Sequence, residues 1–383
     1  MAAGIRANEL AAFGICRPTL LLDERRARRN IERMARKAAA AGLRFRPHFK
    51  THQSAAVGDW FRAAGVSAIT VSSVDMGLYF AAHGWRDLTV AFSANVLESD
   101  KIDSLAGACT VHLVVDTPET VAALAQRLRQ PVQAWVEIDV GGRRAGVPWD
   151  QPDAVLALVR ALRGTASLRF EGLLTHAGHS YEAEGVAGVL EVHGTSITRM
   201  TRLQELVRGA GLGPCAVSIG DTPCCSLAQA FPGVDEIRPG NLVFYDLTQA
   251  RLGACTEDDI AVAVACPVVG KSRERQQLVL YGGAVHLSKE SLRDAAGRMT
   301  YGRLATWRGD SWGPAAAGAA LVSLSQEHGL VAVDEALLAA VEPGDLVVVL
   351  PVHSCLCTDL YGEYRTLQGA SLPRRQSNLV PRD

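Results

Sequence analysis

Short apolar runs alternate with amphipathic segments along the first two thirds of this 383-residue chain. Several of the runs are continuously apolar, which is typical of parallel strands covered on both faces. Eight of them have the length of strands, at residues 43–46, 67–72, 87–92, 110–115, 132–139, 169–175, 216–219 and 236–238. Helices are predicted before and between them, at residues 24–41, 54–64, 75–83, 99–108, 118–129, 151–163, 186–210 and 222–230. Eight strands interleaved with helices predict an α/β fold of the (β/α)₈ barrel type.

The pattern changes after residue 241, where helices become scarce and strand-like runs dominate. These runs lie at residues 260–269, 277–281, 319–325, 330–333 and 345–350, and turn signals such as Glu342-Pro343-Gly344-Asp345 separate them. The pattern predicts a second, mainly antiparallel β-domain. We therefore predict a barrel domain at residues 24–240 and a C-terminal β-domain at residues 241–383, to which an early strand at residues 17–23 returns.

Composition narrows the class of protein. Hydrophobic residues make up 48% of the chain and charged residues 21%, an ordinary globular balance that can bury a large core. The formal charge of −1 gives no reason to expect a nucleic-acid partner. The first residues lack the apolar run of a signal peptide, and no apolar stretch has the length of a membrane helix. The nine cysteines are an odd number, so reduced thiols and a cytoplasmic protein are expected.

One lysine stands out among the candidate catalytic residues. Lys50 lies in the segment RPHFKTH, residues 46–52, where a predicted strand gives way to a helix, with His48 and His52 two residues away on either side. Side chains at the C-terminal ends of barrel strands point into the active site. A lysine there can form a Schiff base with an aldehyde cofactor if its neighbours keep it partly neutral. The alternative is a solvated surface lysine, the common fate of lysines, but three titratable groups so close together disfavour it.

Two glycine-containing segments are candidates for binding an anion. The segment SIGDTP ends a strand in Gly220 and places Asp221 and Thr222 before a helix, so backbone N–H groups and the Thr222 hydroxyl can bind phosphate. Taken alone, this segment is better explained as a turn with an Asp or Thr N-cap. Arg144 follows another strand and two glycines, and could bond a phenolic or acidic group of a ligand. A surface turn with solvated arginines explains it equally well.

Histidines follow a third strand end. The segment THAGHSY, residues 175–181, supplies His176, His179 and Tyr181, although either histidine could be structural. Three clusters of polar and aromatic residues after three strands favour a shared site over three unrelated turns.

A candidate metal site lies near the C-terminus, in the segment HSCLCTD that follows an apolar run. In extended chain, residues two apart share a face, which is expected to place the side chains of His353, Cys355, Cys357 and Asp359 on one side. Imidazole and thiolate together suit zinc, and two protein ligands leave positions open for water or substrate. The alternative is a strand with buried thiols.

The order of these segments resembles that of one enzyme family. The segments are residues 46–52, 137–144, 178–181, 220–223, 238–246 and 351–355. Over residues 19–367 the chain resembles the fold-type III pyridoxal-phosphate enzymes of the D-threonine aldolase / D-serine dehydratase family. The resemblance implies an alanine-racemase-like barrel with a C-terminal β-domain, usually as a head-to-tail homodimer. One departure is Gln53, which stands where many relatives are expected to have lysine.

The resemblance also implies roles for individual residues. Lys50 would carry pyridoxal 5′-phosphate as a Schiff base, and Arg144 would contact the oxygen on its ring. Further cofactor-binding residues would be His179, Tyr181 near the ring, and a group at or near the phosphate formed by Gly220, Asp221, Thr222, Asn241 and Tyr245. His353 and Cys355 would bind a divalent metal beside the substrate's β-hydroxyl, and the thiol favours zinc over manganese or magnesium. Cys357, a second thiol, could share that role.

These roles imply a dehydratase. A β-hydroxy-D-amino acid such as D-serine or 3-hydroxy-D-aspartate would lose its α-proton to Lys50 and its β-hydroxyl with help from the metal, giving a keto acid and ammonia. The H-x-C spacing of His353 and Cys355 favours elimination, because aldolases of the family tend to carry H-x-D. The alternatives are an aldolase that forms glycine and an aldehyde, a racemase, a non-catalytic pyridoxal-phosphate carrier and a metal-only hydrolase. Candidates for the wall of the substrate pocket are His286, Lys289 and Trp312.

Overall fold

The structure is a computed structural model that describes residues 4–293 and 297–375. Contacts divide the chain into two compact units. Residues 31–242 and 252–254 form the barrel unit, and the described residues of 1–30, 243–251 and 255–383 form the β unit. The division falls inside the first long helix, and the domain bounds 24–240 and 241–383 stay a prediction.

The elements are short and evenly spread along the chain. The strands are β1 Thr19–Leu22, β2 Arg44–Phe45, β3 Ile69–Val71, β4 Asp87–Ser93, β5 Thr110–Val115, β6 Val132–Asp139, β7 Val147–Pro148, β8 Leu168–Thr175, β9 Ala216–Ile219, β10 Glu236–Ile237, β11 Val262–Ser272, β12 Gln277–Tyr281, β13 Leu292–Arg293, β14 Met299–Thr300, β15 Gly302–Trp307, β16 Trp312–Ala315, β17 Ala319–Leu324, β18 His328–Val333, β19 Leu346–Pro351, β20 Glu363–Thr366 and β21 Ser371–Pro373. The α-helices are α1 Glu24–Ala40, α2 Ala55–Ala63, α3 Val74–Ala82, α4 Ser99–Ala106, α5 Pro118–Arg127, α6 Pro152–Arg163, α7 Gly185–Gly209, α8 Thr222–Leu227, α9 Leu247–Arg251, α10 Ala284–Leu287, α11 Glu335–Ala340 and α12 Ser354–Asp359. Turns of 3₁₀ helix lie at Asn8–Phe13, Val96–Glu98, Gly178–Glu182, Asn241–Val243 and Glu257–Asp259.

The strands of residues 31–242 form a nine-stranded sheet in which all neighbours are parallel. Its order is β2-β10-β9-β8-β6-β5-β4-β3, with the two-residue β7 beside β6. The two ends of this order meet where His48 pairs with Thr70 in a parallel bridge. There Phe49 N donates to Thr70 O at 2.8 Å, and Thr70 N donates to Pro47 O at 2.9 Å. The eight main strands therefore close into a ring, and the predicted (β/α)₈ barrel is confirmed.

Burial explains why the sequence pattern identified the barrel. Trp135 and Val136 point to opposite faces of β6, and both are 0% exposed. Helix α1 instead buries one stripe, which in the barrel unit consists of Ile31, Met34 and Ala38. Strands covered on both faces and helices covered on one give the two patterns that alternate along the sequence.

The described residues of the β unit contain a ten-stranded sheet with the path β16-β15-β19-β11-β1-β20-β21, extended from β11 by β12, β18 and β17. All pairs in it are antiparallel except β1 with β20. The expected antiparallel β-domain is thus confirmed. The sequence pattern missed β13 to β16, β20 and β21, because these are short strands that mix charged, glycine and proline residues, and β16 and β21 lie at sheet edges, where such residues are tolerated.

No helix within the described ranges 4–293 and 297–375 is long and apolar enough to cross a membrane.

Candidate active site at the barrel mouth and candidate metal ligands in the β unit

Lys50 lies just past the C-terminal end of β2, in the turn that leads to α2, as the sequence predicted. Phe49 before it is 0% exposed and packs against the rings of Phe61 and Phe80, with centroids 5.0 and 4.9 Å away. Lys50 itself is exposed. The backbone of the lysine is thus anchored by the buried ring that precedes it, while its ammonium group stays accessible.

His52 does not share this exposure. It is 0% exposed, its Nδ1 accepts a hydrogen bond from Ser54 N at 3.1 Å, and its ring meets that of Phe49 edge-on at 4.3 Å. Stacking on Phe61 at 5.6 Å completes an aromatic cluster. The ring of His52 therefore belongs to the core of the barrel unit.

His48 does stay with the lysine. Its Nδ1 accepts a hydrogen bond from the backbone N–H of Lys50 at 3.3 Å. Burial holds the pKa of His48 well below its ordinary value, and the charges of Lys50 and Arg238 lower it further. The ring is therefore neutral at pH 7, and because Nδ1 is an acceptor, Nε2 carries the proton.

A second neutral histidine lies at the mouth of the barrel. His176 follows β8, and its Nδ1 is bonded to the carbonyl oxygen of Gly220. Burial lowers the pKa of His176 to about 3, and the charge of Lys50 contributes. Here Nδ1 donates, so Nε2 is an acceptor. The sequence pointed to His176 without giving it a role.

Three cations surround these two histidines. Lys50, Arg144 and Arg238 each lower the pKa of both rings through their charge. Arg238 is buried at 4% exposure, and burial lowers its pKa to about 10. Its guanidinium donates to Ser218 Oγ at 2.7 Å and to Thr175 O at 2.6 Å. A barrel mouth with this concentration of positive charge suits an anionic ligand. The sequence analysis gave Arg238 no function.

Arg144 stands on a tight turn after β6. The carboxylate of Asp139 holds the turn by accepting hydrogen bonds from Gly141 N at 2.8 Å and Arg143 N at 3.0 Å. Arg144 is mostly exposed, and its Nη2 lies 3.9 Å from Oε1 of Glu137. Burial raises the pKa of Glu137, while the charge of Arg144 opposes that rise. The turn therefore presents a guanidinium that is restrained by a single carboxylate.

His179 packs against the same turn. A Cβ added to Gly142 would lie 3.5 Å from its Nδ1, an ordinary van der Waals distance, so the ring lies directly beside the turn. His179 lies in the 3₁₀ turn Gly178–Glu182, and that turn also carries Tyr181. The segment after β8 thus contacts the segment after β6, as expected for neighbouring strands of a barrel.

Asp221 has a structural task. It is the N-cap of α8, and its Oδ1 accepts hydrogen bonds from Cys224 N at 2.8 Å and Ser180 Oγ at 3.0 Å. Burial raises the pKa of Asp221. The N-cap interpretation of this segment therefore holds for Asp221, which shapes the turn between β9 and α8.

The hydroxyl group of Thr222 is the best candidate for a ligand contact. Its Oγ1 is buried, and within the part of the chain that the structure describes it has no hydrogen-bond partner. An unsatisfied buried hydroxyl costs about 1–3 kcal/mol, so a ligand oxygen would be favoured there. The backbone N–H of Thr222 donates to the hydroxyl of Tyr181 at 3.3 Å. Tyr181 therefore lies beside the predicted phosphate residues.

Two glycines let neighbouring segments of this region pack closely together. A Cβ on Gly240 would lie 2.7 Å from the carbonyl oxygen of His48, and one on Gly220 would lie 3.0 Å from Cβ of Arg238. Asn241 follows Gly240 and is 4% exposed. The buried hydroxyl of Thr222 and the three cations, of which Lys50 is exposed, together fit a phosphate-bearing aldehyde cofactor. Tyr245, also predicted at the phosphate, is buried with a left-handed φ of 50° and belongs to the β unit.

The candidate metal ligands in the β unit do not lie on a strand. Residues Ser354–Asp359 form helix α12, and Cys357 N donates to His353 O at 3.1 Å. The expectation that four side chains share one extended face is therefore wrong, because the helical period separates Cys355 from Cys357. The Cys357 thiol donates to His286 O at 3.4 Å, and burial raises its pKa to about 12. Cys357 thus behaves as a core thiol.

His353 and Cys355 remain together. Burial opposes the charged form of His353, but its hydrogen bond to Cys355 and the charge of Asp246 raise the pKa of the imidazole to about 9. Cys355 is partly exposed. Among residues 4–293 and 297–375 no three His, Cys, Asp or Glu side chains form a metal site. A thiol and an imidazole in contact fit a soft divalent ion such as zinc that takes its other ligands from water or substrate.

Two of the three proposed pocket-wall residues have other contacts. Trp312 is 0% exposed, and its indole N–H donates to Ile260 O at 3.0 Å, so it is a core residue and not a pocket wall. His286 accepts from Gly283 N at 3.3 Å and lies 3.7 Å from the carboxylate of Glu327. Burial lowers the pKa of His286.

Comparison with known proteins identifies the family. The family "Alanine racemase, N-terminal domain" matches residues 22–248, more than half of the chain, and the family "Putative serine dehydratase domain" matches residues 261–367. The chain belongs to the family that combines these two domains, so the resemblance to the D-threonine aldolase / D-serine dehydratase family is confirmed, and the protein is a lyase.

Individual relatives define the neighbourhood within that family. D-threo-3-hydroxyaspartate dehydratase from Delftia sp. (strain HT23) is 32% identical over 91% of this chain and 93% of its own length. Its solved structure superposes with a TM-score of 0.88 at 29% identity, covering 95% of this chain and 99% of that one, and a cysteine-to-alanine mutant of it is known in the metal-free form. D-Serine dehydratase from Dictyostelium discoideum is 25% identical over 91% of this chain and 93% of its own length. 3-Hydroxy-D-aspartate aldolase from Paracoccus denitrificans (strain Pd 1222) is 28% identical over 61% of this chain and 62% of its own length.

Proposed function

We propose that this protein is a pyridoxal-phosphate- and divalent-metal-dependent dehydratase of β-hydroxy-D-amino acids. The observation that carries the proposal is the placement of Lys50 at the mouth of the barrel, beside two neutral histidines and two buried or restrained arginines. The dehydratases from Delftia and Dictyostelium match over 91% of the chain, which supports elimination. D-Serine would give pyruvate and ammonia, and a 3-hydroxy-D-aspartate would give oxaloacetate and ammonia.

In this proposal most of the residues that hold the cofactor belong to the barrel unit, and Tyr245 belongs to the β unit. Lys50 carries it, the hydroxyl of Thr222 donates a hydrogen bond to the phosphate, and Arg144 contacts the oxygen on the ring. His179, Tyr181, Gly220, Asp221 and Asn241 shape the same region, and Tyr245 completes the proposed set. When bound, pyridoxal phosphate withdraws electrons from the substrate's Cα.

The chain's own groups then move the protons. Lys50, when it does not carry the cofactor, would accept the proton from the substrate's Cα as general base. His48 keeps a proton on Nε2 and stays neutral, so it can donate a hydrogen bond to an anion without adding charge. His353 and Cys355 would hold the divalent metal, which would supply Lewis acidity for the departure of the β-hydroxyl. The C–H and C–O bonds break, water leaves, and the enamine that remains hydrolyses to the keto acid and ammonia.

The proposal also covers the resident metal, the oligomeric state, the location and the domain bounds. We propose zinc as the resident metal, with manganese or magnesium as the alternatives, because a thiol is one of the two ligands. We propose a homodimer located in the cytoplasm, and domain bounds of 24–240 and 241–383 with strand 17–23 returning to the second domain.

Identification of products tests the proposal. The purified protein is incubated with D-serine, D-threonine and the 3-hydroxy-D-aspartates, with the L-enantiomers as controls, and amino acids, keto acids, aldehydes and ammonia are measured. A keto acid and ammonia in equal amounts support the proposal. Glycine and an aldehyde would instead show the aldolase reaction, which the Paracoccus relative catalyses by its name. Full activity after complete metal removal would refute the metal half of the proposal.

A further inference from the structure

Asp246 is a buried carboxylate with no part in the function proposed above. It is 0% exposed and lies just before helix α9 in the β unit. Its Oδ1 accepts a hydrogen bond from Gln249 N at 2.9 Å, and its Oδ2 accepts from Ser354 N at 2.9 Å and from Ser354 Oγ at 3.3 Å. One carboxylate therefore ties the start of α9 to the start of α12.

The same carboxylate faces a metal-ligand candidate. Oδ2 of Asp246 lies 3.6 Å from Nδ1 of His353. A histidine ligand commonly donates its second ring N–H to a carboxylate, which fixes the ring orientation and raises its basicity. Because Nδ1 faces Asp246, Nε2 is the nitrogen left for a metal.

A second contact holds the segment before His353 in place. The backbone N–H and the hydroxyl of Thr248 both donate to Val352 O, at 3.2 and 2.8 Å. Residues 246–248 therefore hold the backbone on both sides of His353. The helix that starts at Ser354 carries Cys355 one residue later, so the position of the thiol depends on the same anchor.

We propose that Asp246 is the positioning residue of the metal centre, orienting the imidazole of His353 through Nδ1 and the thiol of Cys355 through the start of α12. This inference rests on the proposed metal-binding function of those two residues. It assigns Asp246 no contact with the metal and no contact with the substrate.

Asp246→Asn tests the inference. Asparagine caps a helix as well as aspartate does, so its amide oxygen can keep the bond to Gln249 N. Its NH2 group cannot accept from Ser354 N, and the negative charge beside His353 is lost. The matched control is Asp334→Asn, because Asp334 also N-caps a β-unit helix, through Leu337 N at 2.8 Å, without contacting His353. Both are purified with pyridoxal phosphate bound and stripped of metal, and zinc affinity is then measured with a competing chelator.

The expected result is a loss of zinc affinity of about 10- to 100-fold in Asp246→Asn, with affinity unchanged in Asp334→Asn. The cofactor absorbance of both variants is expected to match that of the wild type. Ser354→Ala, which removes one hydrogen bond to the same carboxylate, is expected to lose affinity by a smaller factor, and it keeps the inference testable if Asp246→Asn does not fold.

Two failures are distinguishable. If the wild-type protein binds no zinc, manganese or magnesium, the metal half of the proposed function is wrong. If the wild type binds zinc and both Asp246→Asn and Ser354→Ala bind it equally well, the positioning role of Asp246 is overturned while the metal site stands. An unfolding midpoint that falls in Asp246→Asn at unchanged zinc affinity would likewise show a purely structural carboxylate.

Discussion

The guanidinium of Arg46 and the carboxylate of Glu236 form an ion pair inside the barrel, with Nε and Oε2 2.7 Å apart and both side chains at most 2% exposed. Asp87 bonds the other side of the same guanidinium, with Oδ1 2.5 Å from Nη1. The second oxygen of Glu236 accepts from Ser218 Oγ at 2.7 Å, and Ser218 in turn accepts from Arg238. The strand that ends in the lysine segment is thereby linked to the buried arginine at the barrel mouth.

Replacing Arg46 should lower the free energy of unfolding of the protein. Arg46→Met removes the nearest positive charge from the buried carboxylate of Glu236, and breaking a buried ion pair from one side costs about 3–5 kcal/mol. Arg44→Met is the matched control, since Arg44 approaches the same Oε2 of Glu236 at 3.6 Å but is 49% exposed. Exposed pairs contribute about 0–1 kcal/mol. Chemical denaturation measures both free energies of unfolding, and equal losses in the two variants would refute the role given to the buried pair.

The stability of the protein should fall as the pH is lowered, in part because of His176. The pKa of this ring is about 3 in the folded protein against an ordinary value of 6.5. Between these pH values the unfolded chain binds a proton that the folded protein does not, so the stabilisation is complete above about pH 6.5 and is lost towards pH 3. His48 acts in the same direction.

Replacing that ring should flatten the pH dependence. In His176→Gln the slope of unfolding free energy against pH, between pH 4 and 6, should decrease by about 1.4 kcal/mol per pH unit, the value for one proton. Denaturation titrations at several pH values measure the slope. An unchanged slope would mean that the ring is protonated in the folded protein.

Gly240 should not tolerate a side chain. In Gly240→Ala the new Cβ would lie 2.7 Å from the carbonyl oxygen of His48, so the backbone beside Lys50 must shift. The expected costs are about 1–3 kcal/mol of stability and weaker retention of the cofactor. Gly194→Ala, in the interior of α7 with nothing within 4 Å of its Cβ, should instead gain up to about 1 kcal/mol. Thermal unfolding and cofactor absorbance after dialysis test both variants.

Much of the fold could be predicted from sequence because it depends on local pattern. All eight barrel strands were predicted from short strand-like runs, several of them continuously apolar, although β3 has only the three residues Ile69–Val71 where six were expected. Segment 353–359 was expected to be extended because its chemically distinctive residues alternate, whereas the backbone forms a helix that Asp246 anchors from 108 positions away. No local pattern contains such a partner.

The candidate site likewise contains residues whose positions follow from local sequence and residues whose positions depend on distant partners. The positions of Lys50 and Thr222 follow from where strands end. The burial of His52 does not, because its ring partners Phe61 and Phe80 come from two different helices. The hydrogen bond from the Thr222 backbone N–H to the Tyr181 hydroxyl could not be predicted either, since the two residues are 41 positions apart. Sequence could nominate polar residues at strand ends, but long-range contacts decide which of them stay available to a ligand.

Lys50 differs from the other lysines whose ammonium contacts are defined. Hydrogen bonds of 2.7–2.8 Å hold Lys37 to Ser226 O, Lys101 to Asp75 Oδ1 and Lys271 to Glu342 Oε1. Lys50 lies exposed at the barrel mouth, which makes it the lysine expected to carry the cofactor.

Borohydride reduction of the cofactor-loaded protein tests that central claim most directly. Reduction fixes pyridoxal phosphate covalently to the lysine that carries it, and peptide mass mapping then locates the modification. We predict one modified position, Lys50, and no visible cofactor absorbance in Lys50→Ala. Modification of Lys37, Lys101, Lys271 or Lys289 in place of Lys50, or a Lys50→Ala protein that keeps the absorbance of the wild type, would contradict the account.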